Sequence, residues 1–276
     1  TDDTFRDGLV DWTVTTQYSK EKLLPLFTHT NLVITQGFIG STDENESTTL
    51  GREGSDYTAA VFANILEAES VTIWKDVESV MNADPKDLPE AIPIHELSYK
   101  EVIEMAYYGA QVIHPKTIKP LQNKQIPLYV KSFLDPRLPG TVITGKPAHH
   151  LPPIIVYKRQ QVLMTFETKD FSFVEGTPAN TLNEILEINK IRPNLSQNAA
   201  ISLYLCVDDI PEKIEKVAVQ SEGIFDVQVE RNLTLLTIRH YTGQFLHKLT
   251  ADKTIVLEQK TQETIQVLMR NLQSTT

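Results

Sequence analysis

The chain has 276 residues, 36 acidic and 26 basic, for a formal charge of −10, and 41% of it is apolar, an ordinary globular composition with room for one large domain or two modest ones. No Lys/Arg-rich run supplies the positive field that releases counterions from a nucleic-acid backbone, so charge argues against nucleic acid as a partner. Apolar runs such as Pro152–Tyr157 and Leu32–Ile34 fall far short of the roughly 20 residues of a membrane helix, so no membrane span is expected.

The first residue is Thr1, and Thr1–Phe5 has neither the basic start nor the apolar run of a signal peptide. A piece of a longer protein is expected, with self-association or partial disorder over 1–19 where an apolar edge would be uncovered. Leu32–Thr35 reads as a buried strand, Ser55–Ala68 as a helix and Val71–Trp74 as another strand. Tyr99–Tyr108 reads as a second helix, with Ser98 and Glu101 forming a capping box and Gly109 stopping it. Pro127–Val130 and Thr141–Thr144 add two strands, and the alternation of strand and helix predicts an α/β fold with a mainly parallel sheet. Gly145–Pro153 carries three prolines, which remove backbone donors and favour extended neighbours, and reads as a linker.

Beyond it the units shorten. Val162–Phe166, Ala200–Val207, Val227–Val229 and Leu233–Ile238 read as strands, and Thr181–Asn189 and Pro211–Val219 as helices, the latter with proline in its first turn. The expected order is the β-α-β-β-α-β of a small ferredoxin-like domain. A second set, Leu233–Ile238, a short helix near Phe245–Leu249, Thr254–Leu257 and Ile265–Met269, has no room for a last helix and is expected to be a truncated unit of that type. The lone Cys206 has no internal disulfide partner and no Cys/His cluster has zinc spacing, which points to a reducing, cytoplasmic compartment.

The segment Thr49–Asp56 carries the most chemical information. Its glycines permit positive φ, it opens into a helix whose first N–H groups can bind an anion, and Arg52 adds a planar fork for a carboxylate or phosphate. Ser55 and Asp56 stand where a cap would stand, so a capped helix after a flexible loop is the competing reading. Gly37–Gly40 follows a predicted strand, either as a ligand-side loop or as a plain turn. Trp74–Val77 and Asn82–Lys86 are charged loop ends, and His114, between Ile113 and Pro115, reads either as a general base or as a structural hydrogen-bonding residue.

Taken in order, Val33–Gly40, Thr48–Tyr57, Ile73–Val77, Ala83–Lys86, Gly109–Pro115 and Pro139–Thr141 resemble the aspartokinase branch of the amino-acid kinase family, densely from Leu23 to about Thr144. The tail resembles the ACT regulatory domains that follow the catalytic domain in that family. The resemblance implies the C-terminal part of an amino-acid kinase domain over 1–146, a linker at 147–153, an ACT domain at 154–231 and a second, short ACT-like unit at 232–276. It implies ATP-dependent phosphorylation of the L-aspartate side-chain carboxylate to 4-phospho-L-aspartate, the first step of lysine, threonine and methionine biosynthesis. Position by position, Arg52, Gly54 and Ser55 would hold aspartate, Arg52 gripping its α-carboxylate, and Asp56 would be the catalytic aspartate that orients the active-site lysine and the phosphoryl group. Gly37, Lys75, Asp76, Met81, Lys86, Gln111 and Val112 fall at nucleotide-binding positions, and Mg²⁺ would ride on the phosphates rather than in a protein cage.

Where the family has Gly, Thr or Ser, Tyr, Arg and Lys, this chain has Glu53, Lys75, Met81, Lys86 and Gln111. Lys86 keeps a charge and loses the fork, Met81 exchanges a hydroxyl-bearing ring for an apolar chain, and Gln111 removes a cation for which Lys75 could compensate. The family's opening Lys-Phe-Gly-Gly-Thr segment, source of the catalytic lysine, is not among these residues. The resemblance therefore implies that this chain alone has no appreciable kinase activity while its full-length parent would. The alternative is a non-catalytic amino-acid sensor of kinase shape. The ACT resemblance implies a homodimer and an amino-acid effector, lysine first or threonine second, near Gly176, Thr177, Asn194, Gln197 and Asn198, residues that ordinary turns also favour.

Overall fold

Asp11 starts the first helix: its carboxylate accepts the Val14 N–H at 2.9 Å, and α1 (Trp12–Tyr18) follows. The structure, a computed structural model, describes residues 1–148 and 150–271 and falls into two units, Thr1–Pro152 and Pro153–Thr276. Position 149 of the expected linker and 272–276 of the expected second ACT-like unit lie outside the described residues.

In the first unit, α1 runs through a π turn (Ser19–Leu23) into a 3-10 turn (Leu24–Thr28). The expected strand at 32–35 does not form. A run of this kind is stable as a strand only when its faces are covered and its backbone paired, and here Leu32 and Ile34 are 71% and 87% exposed. A hairpin of β1 (Ile39–Ser41) and β2 (Ser47–Thr49) comes next, and the start of the chain lies along it, with the Thr1 ammonium donating to Ser41 O at 2.8 Å and Gly8 N–H to Thr49 O at 2.8 Å.

Then follow α2 (Gly54–Leu66), β3 (Val71–Lys75), the short pair β4 (Val80–Met81) and β5 (Pro93–Ile94), β6 (Glu96–Ser98), α3 (Tyr99–Tyr107), α4 (Pro115–Lys124), β7 (Leu128–Ser132) and β8 (Thr141–Thr144). Ser98 caps α3 as expected, its hydroxyl accepting the Glu101 N–H at 3.1 Å. The four-stranded sheet has the order β3-β7-β8-β6, in which β3/β7 and β6/β8 are parallel and β7/β8 antiparallel. Ile73, Leu128, Val130 and Ile143 of the sheet and Ala60, Val102, Ile118 and Leu121 of the helices are buried, each of the larger ones stabilising the unit by about 1.5–3 kcal/mol. Asn64 ties α2 to α4 by donating to Pro120 O at 2.7 Å.

The second unit is one antiparallel six-stranded sheet built on two 15-residue strands, β9 (Ile154–Thr168) and β12 (Phe225–Arg239). Between them lie α5 (Thr177–Ile188), β10 (Leu195–Asn198), β11 (Ser202–Asp208) and α6 (Pro211–Ser221), and after them α7 (Gly243–Thr250), β13 (Lys253–Lys260) and β14 (Thr264–Asn271). The order is β10-β11-β9-β12-β14-β13. The pairs expected at 227–229 and 233–238 are one continuous strand, because Asn232 takes φ 61° and absorbs a bulge rather than a turn.

The two long strands serve twice. Val162–Thr168 of β9 and Phe225–Glu230 of β12, with β10, β11, α5 and α6, make a ferredoxin-like β-α-β-β-α-β arrangement. The other halves, Ile154–Lys158 and Leu235–Arg239, pair with each other, and β14 and β13 extend that side. The later set therefore takes its fourth strand from the start of β9. Its sequence-adjacent residues alone would be three strands and a helix. Beneath α5 and α6, Met164, Phe166, Val217 and Phe225 are fully buried, the two rings edge-to-face at 5.7 Å. On the opposite face Leu163, Leu195, Cys206, Leu233, Leu235 and Leu268 form a second cluster.

Candidate active site

The chain turns from β2 into α2 with Gly51 at φ 71° and Glu53 at φ 53°, both left-handed. Glycine takes that conformation freely, and a side chain there costs about 1 kcal/mol. A β-carbon on Gly51 would also overlap Asp7 Oδ1. The helix starts at Gly54, its N-cap residue is Glu53, and that residue's side chain makes no capping hydrogen bond. Ser55 and Asp56 are thus inside the helix and do not cap it, which removes the capped-helix reading. The dipole and first amides of a 13-residue helix are left without a side-chain cap.

Gly37 packs on that end: a β-carbon on it would lie 3.1 Å from Ser55 Cα. Phe38 N–H donates to Thr58 Oγ1 at 3.0 Å and Phe38 O accepts Leu50 N–H at 2.8 Å, pinning the segment between loop and helix. Gly54 is closely enclosed, with Phe38 Cδ2 2.6 Å from where its β-carbon would be. Arg52 and Ser55 are exposed. Asp56 and Lys75, the last residue of β3, form an ion pair at 3.4 Å, their side chains 19% and 27% exposed.

The remaining predicted positions are more spread. Asp76 is exposed just beyond Lys75. Met81 is on β4, its sulfur 3.7 Å from Ser79 Oγ, and exposed Lys86 sits in a turn closed by Asp84, which accepts the Lys86 N–H at 2.9 Å. Gln111 is exposed and Val112 half-buried between α3 and α4. His114 is engaged structurally: it is the N-cap of α4, and its Nδ1 accepts the Lys116 N–H at 3.2 Å. Burial, then the nearby Lys116 charge, holds its pKa below the ordinary histidine value.

Two contacts escaped sequence reasoning. Glu53 Oε2 accepts the His114 backbone N–H at 2.7 Å, and Lys116 Nζ donates to Leu50 O while lying 3.4 Å from Asp7 Oδ1. The only sequence signal was an acidic residue in a position that resembles glycine. Among the described residues no group of three or more His, Cys, Asp or Glu could hold a metal ion, and no helix is long and apolar enough to cross a membrane.

In the second unit, Gly176 takes φ 80° at the start of α5. The amides there are few: Pro178 has none, and Ala179 N–H donates to Val174 O at 3.0 Å. The Asn194 side chain is internally bonded, accepting from Lys158 Nζ at 2.7 Å and donating to Gln161 Oε1 and Asp208 Oδ1, both at 2.8 Å. Gln197 and Asn198 are exposed on β10 at the sheet's edge, and Asn198 lines an open cavity of about 520 Å³ with Phe173, Glu175, Ala199 and Ala200.

Residues 6–132 match the Amino acid kinase family. Lysine-sensitive aspartokinase 3 of Escherichia coli is 34% identical over 248 residues, 86% of this chain and 54% of that protein. The chloroplastic bifunctional aspartokinase/homoserine dehydrogenase 2 of Zea mays is 43% identical over 201 residues, 71% of this chain and 22% of that protein. The crystal structure of E. coli aspartokinase III with aspartate and ADP (R-state) is similar with a TM-score of 0.79 at 29% identity, covering 98% of this chain and 64% of that one. The same enzyme with lysine and aspartate (T-state) gives 0.75 at 30%, covering 97% and 63%. The chain spans 54% of the length of its E. coli relative. Residues 6–132 are similar to the amino acid kinase family, and the chain is similar along most of its length to aspartokinases.

Proposed function

We propose that the protein carrying this chain is an aspartate kinase, transferring the γ-phosphoryl group of ATP to the side-chain carboxylate of L-aspartate under feedback from an amino acid. The observation that carries the reading is the Asp56–Lys75 pair at 3.4 Å beside the uncapped start of α2. Phosphoryl transfer asks for positioning and charge neutralisation more than covalent chemistry. Exposed Arg52 offers its fork to the α-carboxylate of aspartate, and Ser55 a hydroxyl. Asp56 holds the Lys75 ammonium where negative charge develops. A carboxylate oxygen of aspartate bonds to the γ-phosphorus as the bond to the bridging oxygen breaks, and that electron pair leaves on ADP. No proton need move.

Gly37, Lys75, Asp76, Met81, Lys86, Gln111 and Val112 are the proposed nucleotide side, supported by the E. coli relative solved with ADP. Bound Mg²⁺ would supply further charge neutralisation from the phosphates. A cytoplasmic setting fits the buried Cys206 thiol, which burial pushes up to about 12 and so keeps unreactive. For the effector we favour lysine over threonine. The E. coli T-state structure contains lysine, and Glu175 brings a carboxylate, with the Asn198 amide, to the cavity at the edge of β10. Pairing of two copies through the ferredoxin-like units is part of the same proposal.

Hydroxylamine trapping tests it, because an acyl phosphate yields a hydroxamate. The gene product that contains these residues should form hydroxamate from ATP, Mg²⁺ and aspartate, with lysine suppressing it. Binding of lysine without any hydroxamate from the gene product would establish the sensor instead.

A further inference from the structure

Glu53 has no role in the family resemblance, yet its side chain crosses from the acceptor loop to the segment that carries the nucleotide-side residues. Its Oε2 accepts the His114 N–H at 2.7 Å, just past Gln111 and Val112. A second bond runs the other way, from Lys116 Nζ in the first turn of α4 to Leu50 O at the beginning of the loop. Lys116 also lies 5.5 Å from the ring centroid of Tyr57 on α2. The two contacts share one helix end, because the His114 ring accepts the Lys116 N–H at 3.2 Å. The loop is thereby fastened near both of its ends. Glu53 holds a left-handed φ of 53° to make its bond, where glycine would sit without strain and without the bond.

We propose that Glu53 is a positioning residue that latches the acceptor loop to the 111–114 segment, so that binding of the acceptor carboxylate and of the nucleotide reinforce each other; this rests on the kinase reading of the site. With the latch closed, Arg52, Ser55 and Asp56 are presented in one arrangement. With it open, the acceptor must order the loop itself, which raises KM for aspartate and leaves kcat at saturation little changed, since the Glu53 carboxylate is directed at a backbone amide and not at a reacting atom. Loss of one charge-assisted hydrogen bond at a half-buried position corresponds to a rise of about five- to tenfold. By linkage, the dependence of the aspartate KM on ATP concentration weakens with it.

Glu53→Gly and Glu53→Gln test this. Glycine removes the latch while relieving the backbone, so the variant folds, and glutamine keeps an acceptor for the His114 N–H. Amide hydrogen exchange on the 276-residue chain reads the latch without reference to catalysis, and steady-state kinetics on the gene product reads its consequence. Glu53→Gly should speed exchange at His114 about tenfold or more and raise the aspartate KM about five- to tenfold with kcat within about twofold, and Glu53→Gln should recover most of both. Unchanged exchange in Glu53→Gly would overturn the latch whatever the kinetics. Faster exchange with an unchanged aspartate KM would overturn the positioning role. A gene product with no kinase activity would end the kinase reading, while the exchange result would still decide the latch.

Discussion

Replacing Asn194 by alanine removes three hydrogen bonds at once. Its Oδ1 accepts from Lys158 Nζ at 2.7 Å, and its Nδ2 donates to Asp208 Oδ1 and Gln161 Oε1 at 2.8 Å. Two of these involve a charged partner, worth roughly 1.5–3 kcal/mol each when shielded, and one is neutral at about 1 kcal/mol. Water reaches exposed Asp208 and replaces part of what is lost. Lys158 is worse placed, because burial already holds its pKa below the ordinary lysine value and removing its acceptor leaves a poorly solvated charge. The expected net loss is about 2–3 kcal/mol, read from urea unfolding with the slope unchanged. Gln197→Ala, on the exposed edge of β10, should stay within about 0.5 kcal/mol. Lysine affinity at temperatures where both variants are folded separates structure from recognition: Asn194→Ala should bind lysine as the parent does. A stability change below about 0.5 kcal/mol together with lost lysine affinity would refute the reasoning and return Asn194 to the effector site.

Three further outcomes follow. The folded-state pKa of His114 is lowered, so the folded protein favours the neutral ring; its contribution is fully present above the ordinary histidine value of 6.5 and falls as pH drops from there toward the lowered value. Lys116, Arg52, Glu53 and Asp7 face it, and His114→Asn, which can cap without titrating, should lose that part of the pH dependence of stability measured by urea unfolding at a series of pH values; an unchanged pH dependence would contradict the assignment. Gly140→Ala should cost about 2–4 kcal/mol, because the residue has φ 71° and a β-carbon would overlap Val130 O, whereas Gly223→Ala, with nothing within 4 Å, should cost less than about 0.5 kcal/mol; similar losses for the two would refute the packing argument. Gly37→Ala puts a methyl 3.1 Å from Ser55 Cα and, by displacing Ser55, should weaken aspartate binding by calorimetry of the gene product while leaving the unfolding midpoint nearly unchanged; unaltered affinity would refute the coupling of Gly37 packing to the Ser55 position.

Elements whose burial follows a simple period were legible in the sequence. Val71–Lys75 alternates buried and more exposed residues, and Ser98 announces α3 through its cap. Leu32–Ile34 looked equally strand-like, but strand formation depends on covered faces and a paired backbone, which composition does not encode. β10 was missed for the opposite reason: Ser196, Gln197 and Asn198 are polar and exposed at a sheet edge, so no apolar pattern marks them. Arg231–Asn232 looked like a break because polar pairs often turn the chain, whereas strands on both sides keep the same partner, β9, and a bulge suffices. At the site, Arg52, Ser55 and Asp56 were read from one segment and Lys75 from another, as a nucleotide-side residue, and the structure pairs Asp56 with Lys75. The Glu53–His114 bond was not, since it joins residues 61 positions apart and only the fold makes them neighbours.

The kinase reading rests most heavily on Asp56 and its ion pair with Lys75. Hydroxamate formation by the gene product, compared with its Asp56→Asn variant at matched folded concentration, tests it most directly. The expected result is ATP- and aspartate-dependent hydroxamate from the parent and a loss of about 10²-fold or more in kcat from the variant, with ADP still bound. Equal rates from the two proteins, or no hydroxamate from the parent with aspartate, would contradict it.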